Sequence, residues 1–156
     1  MSEIDYKDQQ ALATLVSDEF GSWSSEVSVD QAMIDQYADL SGDHMWLHVD
    51  VERCARESPF GGTIAHGFLT LSLLPKMSGG PSPLGNITGF SHMMNYGSDK
   101  LRFVGVVPVD SAIHSRSRIK AVEVSEKKTR LTLETHVHVV GSDSPSLVYE
   151  LMMVYL

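Results

Sequence analysis

The chain of 156 residues has the length of one domain with a single core, and its 42% apolar residues exclude a disordered protein. Its 12 Lys and Arg against 20 Asp and Glu give a formal charge of -8, which argues against a nucleic-acid surface because phosphate neutralisation needs clustered cations. A single cysteine, Cys54, excludes an intrachain disulfide and a cysteine-based metal site. The acidic first residues do not resemble a signal peptide, and the longest apolar stretch is too short to cross a membrane, so we expect a cytoplasmic protein.

The first half of the chain has the apolar spacing of helices. Residues 1–20 are expected to form a helical extension before a short first strand, Trp23 to Val29. Helical periodicity then predicts helices over Asp30 to Asp39 and over Asp50 to Glu57. The segment FLTLSLLPKM, which begins at Phe68, is apolar almost all round and predicts a helix inside the protein.

After the loop at residues 78–85 (SGGPSPLG), the pattern changes to the two-residue period of strands. Ala112 to Val124 predicts one long strand, and the alternation from Leu131 to Val139 predicts a second, half-buried one. Leu147 to Leu156 is apolar on both faces, which favours a central strand or a subunit contact. We therefore predict a single α+β domain, residues 1–156, with an antiparallel sheet wrapped around one buried helix.

The segment YADLSGDHMWLH, residues 37–48, has the residue types needed for acid–base chemistry. The small pair Ser41-Gly42 places Asp43 just after a predicted helix end and five residues before His48. A carboxylate and an imidazole held together can share one water as general base and general acid, and imidazoles in general titrate near neutrality. As isolated residues, an Asp after Ser-Gly is more often a turn residue and a lone His more often structural.

A second glycine-rich segment, GGTIAHG at residues 61–67, leads into the buried helix. Unpaired backbone N–H groups at a helix start favour negative charge, and they would stabilise a thioester oxygen that becomes enolate-like. Close packing of the helix start is an equally good reason for Gly67.

These segments together resemble the MaoC-like dehydratase family, which includes the (R)-specific enoyl-CoA hydratases. The segments YADLSGDHMWLH, PFGGTIAHGFLTL and NYGSDKLRF (residues 95–103) are most similar to its nodulation-protein-N-like branch. The resemblance implies a hot-dog fold with a long central helix, usually dimeric. It also implies that Asp43 and His48 add water to a trans-2-enoyl-CoA to give an (R)-3-hydroxyacyl-CoA of fatty acid metabolism, or catalyse the reverse dehydration. The Gly67 N–H would then bind the thioester carbonyl.

Two positions depart from the family pattern. Met45-Trp46 stands where the broader family has Asn-Pro and the nodulation-protein-N-like branch has Gln-Trp, so an amide is replaced by a weakly accepting thioether. Leu74-Pro75 stands where some hydratases carry a serine on the central helix. These departures keep open a non-catalytic acyl-thioester-binding protein, and an acyl-CoA thioesterase is a further alternative.

Further residues are assigned to substrate binding by their place in these segments. Ala65 and His66 accompany Gly67 in the thioester site, with His66 expected to hold the loop through a hydrogen bond. Asn95 and Tyr96 are expected to shape the acyl or pantetheine channel, although a subunit contact is as plausible for Tyr96. Lys100 and Arg102 are candidates for a CoA phosphate contact, because Arg offers a bidentate fork to phosphate. Together with Arg116, Arg118 and Lys120 they form the main concentration of cations, which is predicted to lie on adjacent strands.

The remaining expectations concern cofactors and partners. Neither His44 with His48 nor His136 with His138 brings a third ligand in sequence, so we expect no metal. No other cofactor is expected, since the CoA thioester is the substrate. The expected partners are an acyl-CoA or an acyl carrier protein thioester and further copies of the chain, as a homodimer or higher homo-oligomer, with neither nucleic acid nor membrane.

Overall fold

The computed structural model describes residues 3–77 and 83–156, with most helices in the first half of the chain and the long strands in the second. The helices are α1 (Gln9–Ala13), α2 (Gln31–Ser41), α3 (Trp46–Val49), α4 (Val51–Glu57) and α5 (Gly67–Ser72). The strands are β1 (Glu3–Asp5), β2 (Val27–Val29), β3 (Asn86–Thr88), β4 (Met93–Phe103), β5 (Ser111–Val124), β6 (Thr129–Val139) and β7 (Leu147–Tyr155). No helix in the described ranges is long and apolar enough to span a bilayer.

Two of the predicted helices, α2 and α4, are confirmed, and aspartates cap both. The Asp30 carboxylate accepts the Met33 N–H at 2.8 Å, and the Asp50 carboxylate accepts the Arg53 N–H at 2.9 Å. Such caps satisfy N–H groups that have no partner inside the helix. In the predicted N-terminal extension, the helix is confined to the five residues of α1.

Five strands form one antiparallel sheet in the order β2-β5-β6-β7-β4, while β1 and β3 form a separate parallel pair. The predicted α+β class is therefore confirmed, and β7 lies inside the sheet, as its apolar faces predicted. Strands β6 and β7 lie between β4 and β5, so the predicted placement of their cations on adjacent strands is wrong. The side chains of Lys100 and Lys120 nevertheless both reach Oε1 of Glu150 on β7, at 3.9 and 2.8 Å.

Helix α5 packs against the inner face of the sheet and is shorter than the resemblance implied. It ends at Ser72, and the chain continues as a 3₁₀ turn over Leu74–Lys76. Pro75 accounts for the early end, because proline lacks an N–H and disfavours helical backbone at the preceding residue. The core around it is formed by buried side chains of α2, α5 and the sheet, namely Ile34, Leu69, Leu73, Val29, Ile113, Val137 and Leu147.

Residues 17–26, which we call the N-terminal strap, run along the free edge of β5. The backbone N–H groups of Ser17 and Gly21 donate to carbonyls of β5 at 3.1 and 2.9 Å. Only the last three residues of the predicted strand Trp23 to Val29 pair regularly, as β2. The strap therefore covers the edge with widely spaced hydrogen bonds instead of a continuous ladder.

Aromatic side chains of the strap fold over histidines on the outer face of the sheet. Trp23 stacks on His114 with ring centroids 3.9 Å apart, and Phe20 lies 4.4 Å from His136. The guanidinium of Arg116 lies over the Trp23 ring at 4.6 Å. Outer-face histidines of β5 and β6 are thus packed under the strap.

Candidate active site

Asp43 lies immediately after α2, where a left-handed glycine ends the helix. Gly42 has φ of 79° and donates its N–H to the carbonyl of Ala38 at 2.8 Å. Glycine adopts this conformation without the steric penalty of a side chain. The Asp43 N–H donates to Ser41 Oγ, and the Asp43 carboxylate accepts the Met45 N–H, both at 3.3 Å. The turn therefore presents an exposed carboxylate beside α3.

His48 is buried in the four-residue helix α3, and one backbone carbonyl fixes its tautomer. Its Nδ1 lies 2.7 Å from the carbonyl oxygen of Ile64. A carbonyl oxygen can only accept, so the proton of the neutral ring is on Nδ1 and Nε2 carries the lone pair. This arrangement leaves Nε2 free to accept a proton.

His66 ties the glycine-rich segment to the Asp43 turn. Its ring stacks on His48 with centroids 3.8 Å apart, and its Nε2 lies 2.9 Å from the backbone carbonyl oxygen of Asp43. The predicted loop-holding hydrogen bond of His66 is thus present. Burial lowers the pKa of His66, outweighing the hydrogen bond to Asp43, which would raise it. His66 therefore stays neutral near pH 7 and adds no positive charge beside His48.

Asp43, His48 and His66 are the one group in the described ranges whose donor atoms could be considered for a metal ion. One donor atom from each lies within 4.8 Å of the other two. The two imidazole rings, however, are stacked with planes only 26° apart. Ring nitrogen lone pairs lie in the ring plane, so nearly parallel rings do not point at a shared ion about 2.0–2.1 Å from each nitrogen. The orientation of these two rings therefore does not favour a shared metal ion.

A cavity of about 440 Å³ opens beside His48 and Gly67. Within the described residues, the Gly67 N–H has no acceptor in the protein. A Cβ at position 67 would lie 2.7 Å from the Phe103 ring, so glycine is required for this close approach. Phe68 meets Phe103 edge-on, with centroids 5.2 Å apart, and both rings line the cavity. The cavity is otherwise lined by Ile64, Ala65, Thr70, Val104, Gly105, Val106, Val107, Ser146 and Leu147.

Of the other predicted substrate residues, only Ala65 lines the cavity. Its N–H is bonded to the Val107 carbonyl at 2.8 Å, so it is not free to bind a substrate oxygen. Asn95 and Tyr96 are exposed on β4 and are not among the residues that line the cavity. Lys100 lies 3.9 Å from the buried Glu150 carboxylate, while Arg102 is exposed next to Phe103.

The side chain of Met45 is half exposed, whereas its backbone contacts the site. The Met45 N–H donates to the Asp43 carboxylate, and its carbonyl accepts the His48 N–H at 2.9 Å. Any residue other than proline can make the first of these contacts. The replacement of an amide side chain by Met therefore leaves the backbone support of both residues intact.

The chain also matches a known protein family. The sequence profile described as the MaoC like domain matches residues 19–141, most of the chain. The chain belongs to this family. Its predicted resemblance is thereby confirmed.

The chain is also similar to individual proteins of this family. A "3-hydroxyacyl-thioester dehydratase Z" of Mycobacterium tuberculosis (strain ATCC 25618 / H37Rv) is 40% identical over 134 residues, covering 85% of this chain and 86% of the relative. "Nodulation protein N" of Rhizobium meliloti (strain 1021) is 46% identical over 118 residues, covering 74% and 68%. The solved structure of an (R)-hydratase from A. caviae superposes with a TM-score of 0.65 at 25% identity, covering 88% and 96%. The predicted hot-dog fold and the hydro-lyase class are confirmed.

One group of residues that supports the site was not found in the sequence. Gln31, in the first turn of α2, donates its side-chain N–H to the backbone carbonyl of His48 at 2.8 Å and accepts the hydroxyl of Thr63. No periodicity or motif distinguishes a glutamine of this kind from a solvated one.

Proposed function

We propose that the protein hydrates trans-2-enoyl-CoA to (R)-3-hydroxyacyl-CoA, or catalyses the reverse dehydration, with Asp43 and His48 acting on one water. The observation that carries the proposal is the fixed tautomer of His48, whose Nδ1 faces the Ile64 carbonyl at 2.7 Å. The His48 ring borders the cavity and lies close to the Asp43 carboxylate. Its Nε2 carries no proton in this tautomer. Two acceptors side by side can take the two hydrogens of one water.

In hydration, the water oxygen bonds to C3 of the enoyl group while one O–H bond breaks. The proton passes to the acid–base pair, and the C2–C3 double bond becomes an enolate on the thioester. A proton is then returned to C2 on the same face, so atoms and charge balance. Burial lowers the pKa of His66, which makes its ring a weaker base for this proton.

The enolate oxygen needs a donor, and the free N–H of Gly67 supplies it in this proposal. Ala65 cannot do so, because Val107 takes its N–H. A single well-aimed donor of this type contributes about 10²–10³ in rate. The apolar wall around Phe68 and Phe103 would receive the acyl chain and raise the strength of that hydrogen bond by excluding water.

The test is hydration of crotonyl-CoA and longer enoyl-CoA substrates, followed by loss of the enoyl absorbance and by chiral analysis of the product. Asp43→Asn and His48→Gln are each expected to lower kcat by about 10²–10⁴. His44→Gln is the matched control, since His44 is exposed and bonded to Asp39. Wild-type rates in both site variants would refute the roles given to them. Binding of acyl-CoA without turnover would indicate a binding protein, and release of free CoA would indicate a thioesterase.

The proposal extends to assembly and partners. Strand β4 is an edge of the sheet, and ten of its eleven residues are exposed, including Met93, Met94 and Tyr96 at 48–58%. Exposed apolar side chains on an unpaired edge strand favour pairing with another chain. We therefore expect a homodimer, measurable by light scattering. Delivery of the thioester by CoA or by acyl carrier protein, and a cytoplasmic location, stay predictions.

A further inference from the structure

Gln31 is a half-buried amide at the start of α2 with three hydrogen-bond partners. Its Nε2 lies 2.8 Å from the backbone carbonyl of His48 and 2.8 Å from Oδ1 of Asp35. Its Oε1 accepts the hydroxyl of Thr63. The carbonyl and the carboxylate can only accept, so the NH₂ group must face them and the orientation of the amide is fixed.

Two of the three partners of Gln31, His48 and Thr63, belong to the two segments that build the predicted acid–base site. One segment carries His48, and the other runs from Thr63 to His66. They meet through the Ile64 N–H, which donates to the Leu47 carbonyl at 3.0 Å, and through His48 Nδ1 to the Ile64 carbonyl at 2.7 Å. Gln31 adds a side-chain bridge from α2 to both segments.

Both ends of this bridge are buried. Thr63 is 2% exposed and His48 is 6% exposed, so water does not readily replace a lost partner there. A buried carbonyl and a buried hydroxyl without partners each carry the full cost of desolvation. Removing the amide therefore favours a shift of one segment relative to the other.

We propose that Gln31 is a positioning residue, which holds the His48 backbone against the Thr63–Ile64 segment so that the Nδ1–H of His48 stays on the Ile64 carbonyl. It contacts no reacting atom and acts through His48. The inference rests on the proposed hydratase function, because the fixed tautomer matters only if the unprotonated Nε2 takes a proton from water. It adds a residue outside the three motif segments that carry the family resemblance.

The first test uses Gln31→Leu, with Gln36→Leu as the matched control on the exposed face of the same helix. Misplacement of a reacting group by about 1 Å costs on the order of 10²-fold in rate, so Gln31→Leu is expected to lower kcat about 10- to 100-fold. KM is expected to change little, since Gln31 does not line the cavity. A loss of thermal stability with unchanged kcat would overturn the proposal.

The second test uses Gln31→Glu, which keeps the size of the side chain. An ionised carboxylate cannot donate to the His48 carbonyl and repels Asp35, whereas the protonated acid has one O–H to donate. The kcat of this variant relative to the native protein is therefore expected to rise as pH falls from 8 towards 5.5. A ratio that does not change with pH would contradict the role of Gln31 as a donor.

Nitrogen-15 spectra of the histidine rings separate this inference from the proposed function. In the native protein His48 is expected to show a protonated Nδ1 whose hydrogen exchanges slowly with water, and Gln31→Leu is expected to speed that exchange at least tenfold. Unchanged exchange would overturn the positioning role even for an active enzyme. Absence of hydration by the native protein would instead refute the proposed hydratase function. The spectra would still test whether Gln31 holds His48 in place.

Discussion

The Nε2–H of His66 donates to the backbone carbonyl of Asp43 across 2.9 Å, while the same ring stacks on His48 at 3.8 Å. One side chain therefore holds both members of the predicted acid–base pair. Its other nitrogen, Nδ1, is buried without a hydrogen-bond partner in the described protein. The burial of this unpartnered nitrogen lowers the stability of the fold, while the ring keeps its contacts with Asp43 and His48.

This relationship predicts opposite effects on activity and stability for His66→Phe. Phenylalanine keeps the stacked ring but loses the hydrogen bond, worth about 1 kcal/mol, so kcat is expected to fall about five- to tenfold. The variant also removes the unpartnered Nδ1, whose burial costs about 1–3 kcal/mol, so the free energy of unfolding should be unchanged or higher. Steady-state kinetics and urea unfolding check the two effects. Lower stability with full activity would show that His66 is only structural.

Substitution of Gly67 should act through Phe103. A Cβ at residue 67 would lie 2.7 Å from the Phe103 ring, which is 45% exposed and can move away. Gly67→Ala is therefore expected to fold, to cost about 1–2 kcal/mol in unfolding free energy, and to lower kcat/KM by displacing the ring within the cavity.

The coupling between these two residues can be measured by a double-mutant cycle. In a Phe103→Ala background, Gly67→Ala should cost much less, giving an interaction energy of about 0.5–3 kcal/mol. Gly62→Ala is the control within the same segment, since its nearest neighbour would be 3.8 Å away. Equal losses in both backgrounds would mean that the clash is not the cause.

The N-terminal strap should loosen in mild acid. Burial lowers the pKa of His114, as does nearby His138, and burial lowers the pKa of His136 although Glu134 opposes it. Groups whose pKa is lower in the folded state stabilise it above their unfolded pKa, about 6.5, and this contribution is lost as pH falls below that value. The other charges that act on these rings are Glu26 of the strap, on His114, and Arg116 of β5, on both.

Fluorescence of Trp23 in a Trp46→Phe background reports this change, because the Trp23 ring lies on His114. We expect the emission to change between pH 7.5 and pH 5, and His114→Gln to shift or remove that transition. His92→Gln is the control, since His92 is exposed and remote from the strap. An identical transition in His114→Gln and His136→Gln would mean that other groups drive it.

The ion pair of Arg118 with Glu134 should contribute more to stability than exposed pairs. The two side chains are 18% and 11% exposed and lie 2.6 Å apart. Arg118→Met leaves a buried carboxylate with only His136, and it is expected to cost about 2–3 kcal/mol in unfolding free energy at pH 7. Arg130→Met breaks a pair whose Glu123 is 62% exposed and should cost under about 1 kcal/mol.

The pH dependence of this loss has a defined sign. Burial tends to raise the pKa of Glu134, but hydrogen bonds from Arg118 and His136 outweigh it, so the pKa is lowered overall. The stabilisation is therefore present above the ordinary carboxyl pKa and is lost as pH falls through the lowered one. Chemical unfolding at pH 7 and pH 4 should show a smaller difference between Arg118→Met and native protein in acid. A constant difference would refute the role of the charge.

The sequence predicted what periodicity and local motifs determine. Alternation located the long strands β5 and β6, and helical periodicity located α2 and α4. The Asp43–His48 segment lies in one turn of chain, so its residues meet regardless of the distant fold. The Gln31 bridge could not be found, because it depends on three segments meeting in space. The sequence predicts Arg102 and Arg116 on neighbouring strands because consecutive strands usually pair. In the sheet, β6 and β7 lie between their strands.

The sheet order also determines when this chain can fold during its synthesis. Strand β4 pairs within the described sheet only with β7, and β5 and β6 are made between them. At about 5–20 residues per second, the exposed apolar side chains of Met93–Phe103 wait on the order of seconds for Leu147–Tyr155 to leave the ribosome. During that interval β4 is an unpaired strand, which chaperones can bind and from which aggregation can start. The cavity beside the predicted acid–base site has not yet formed at that stage.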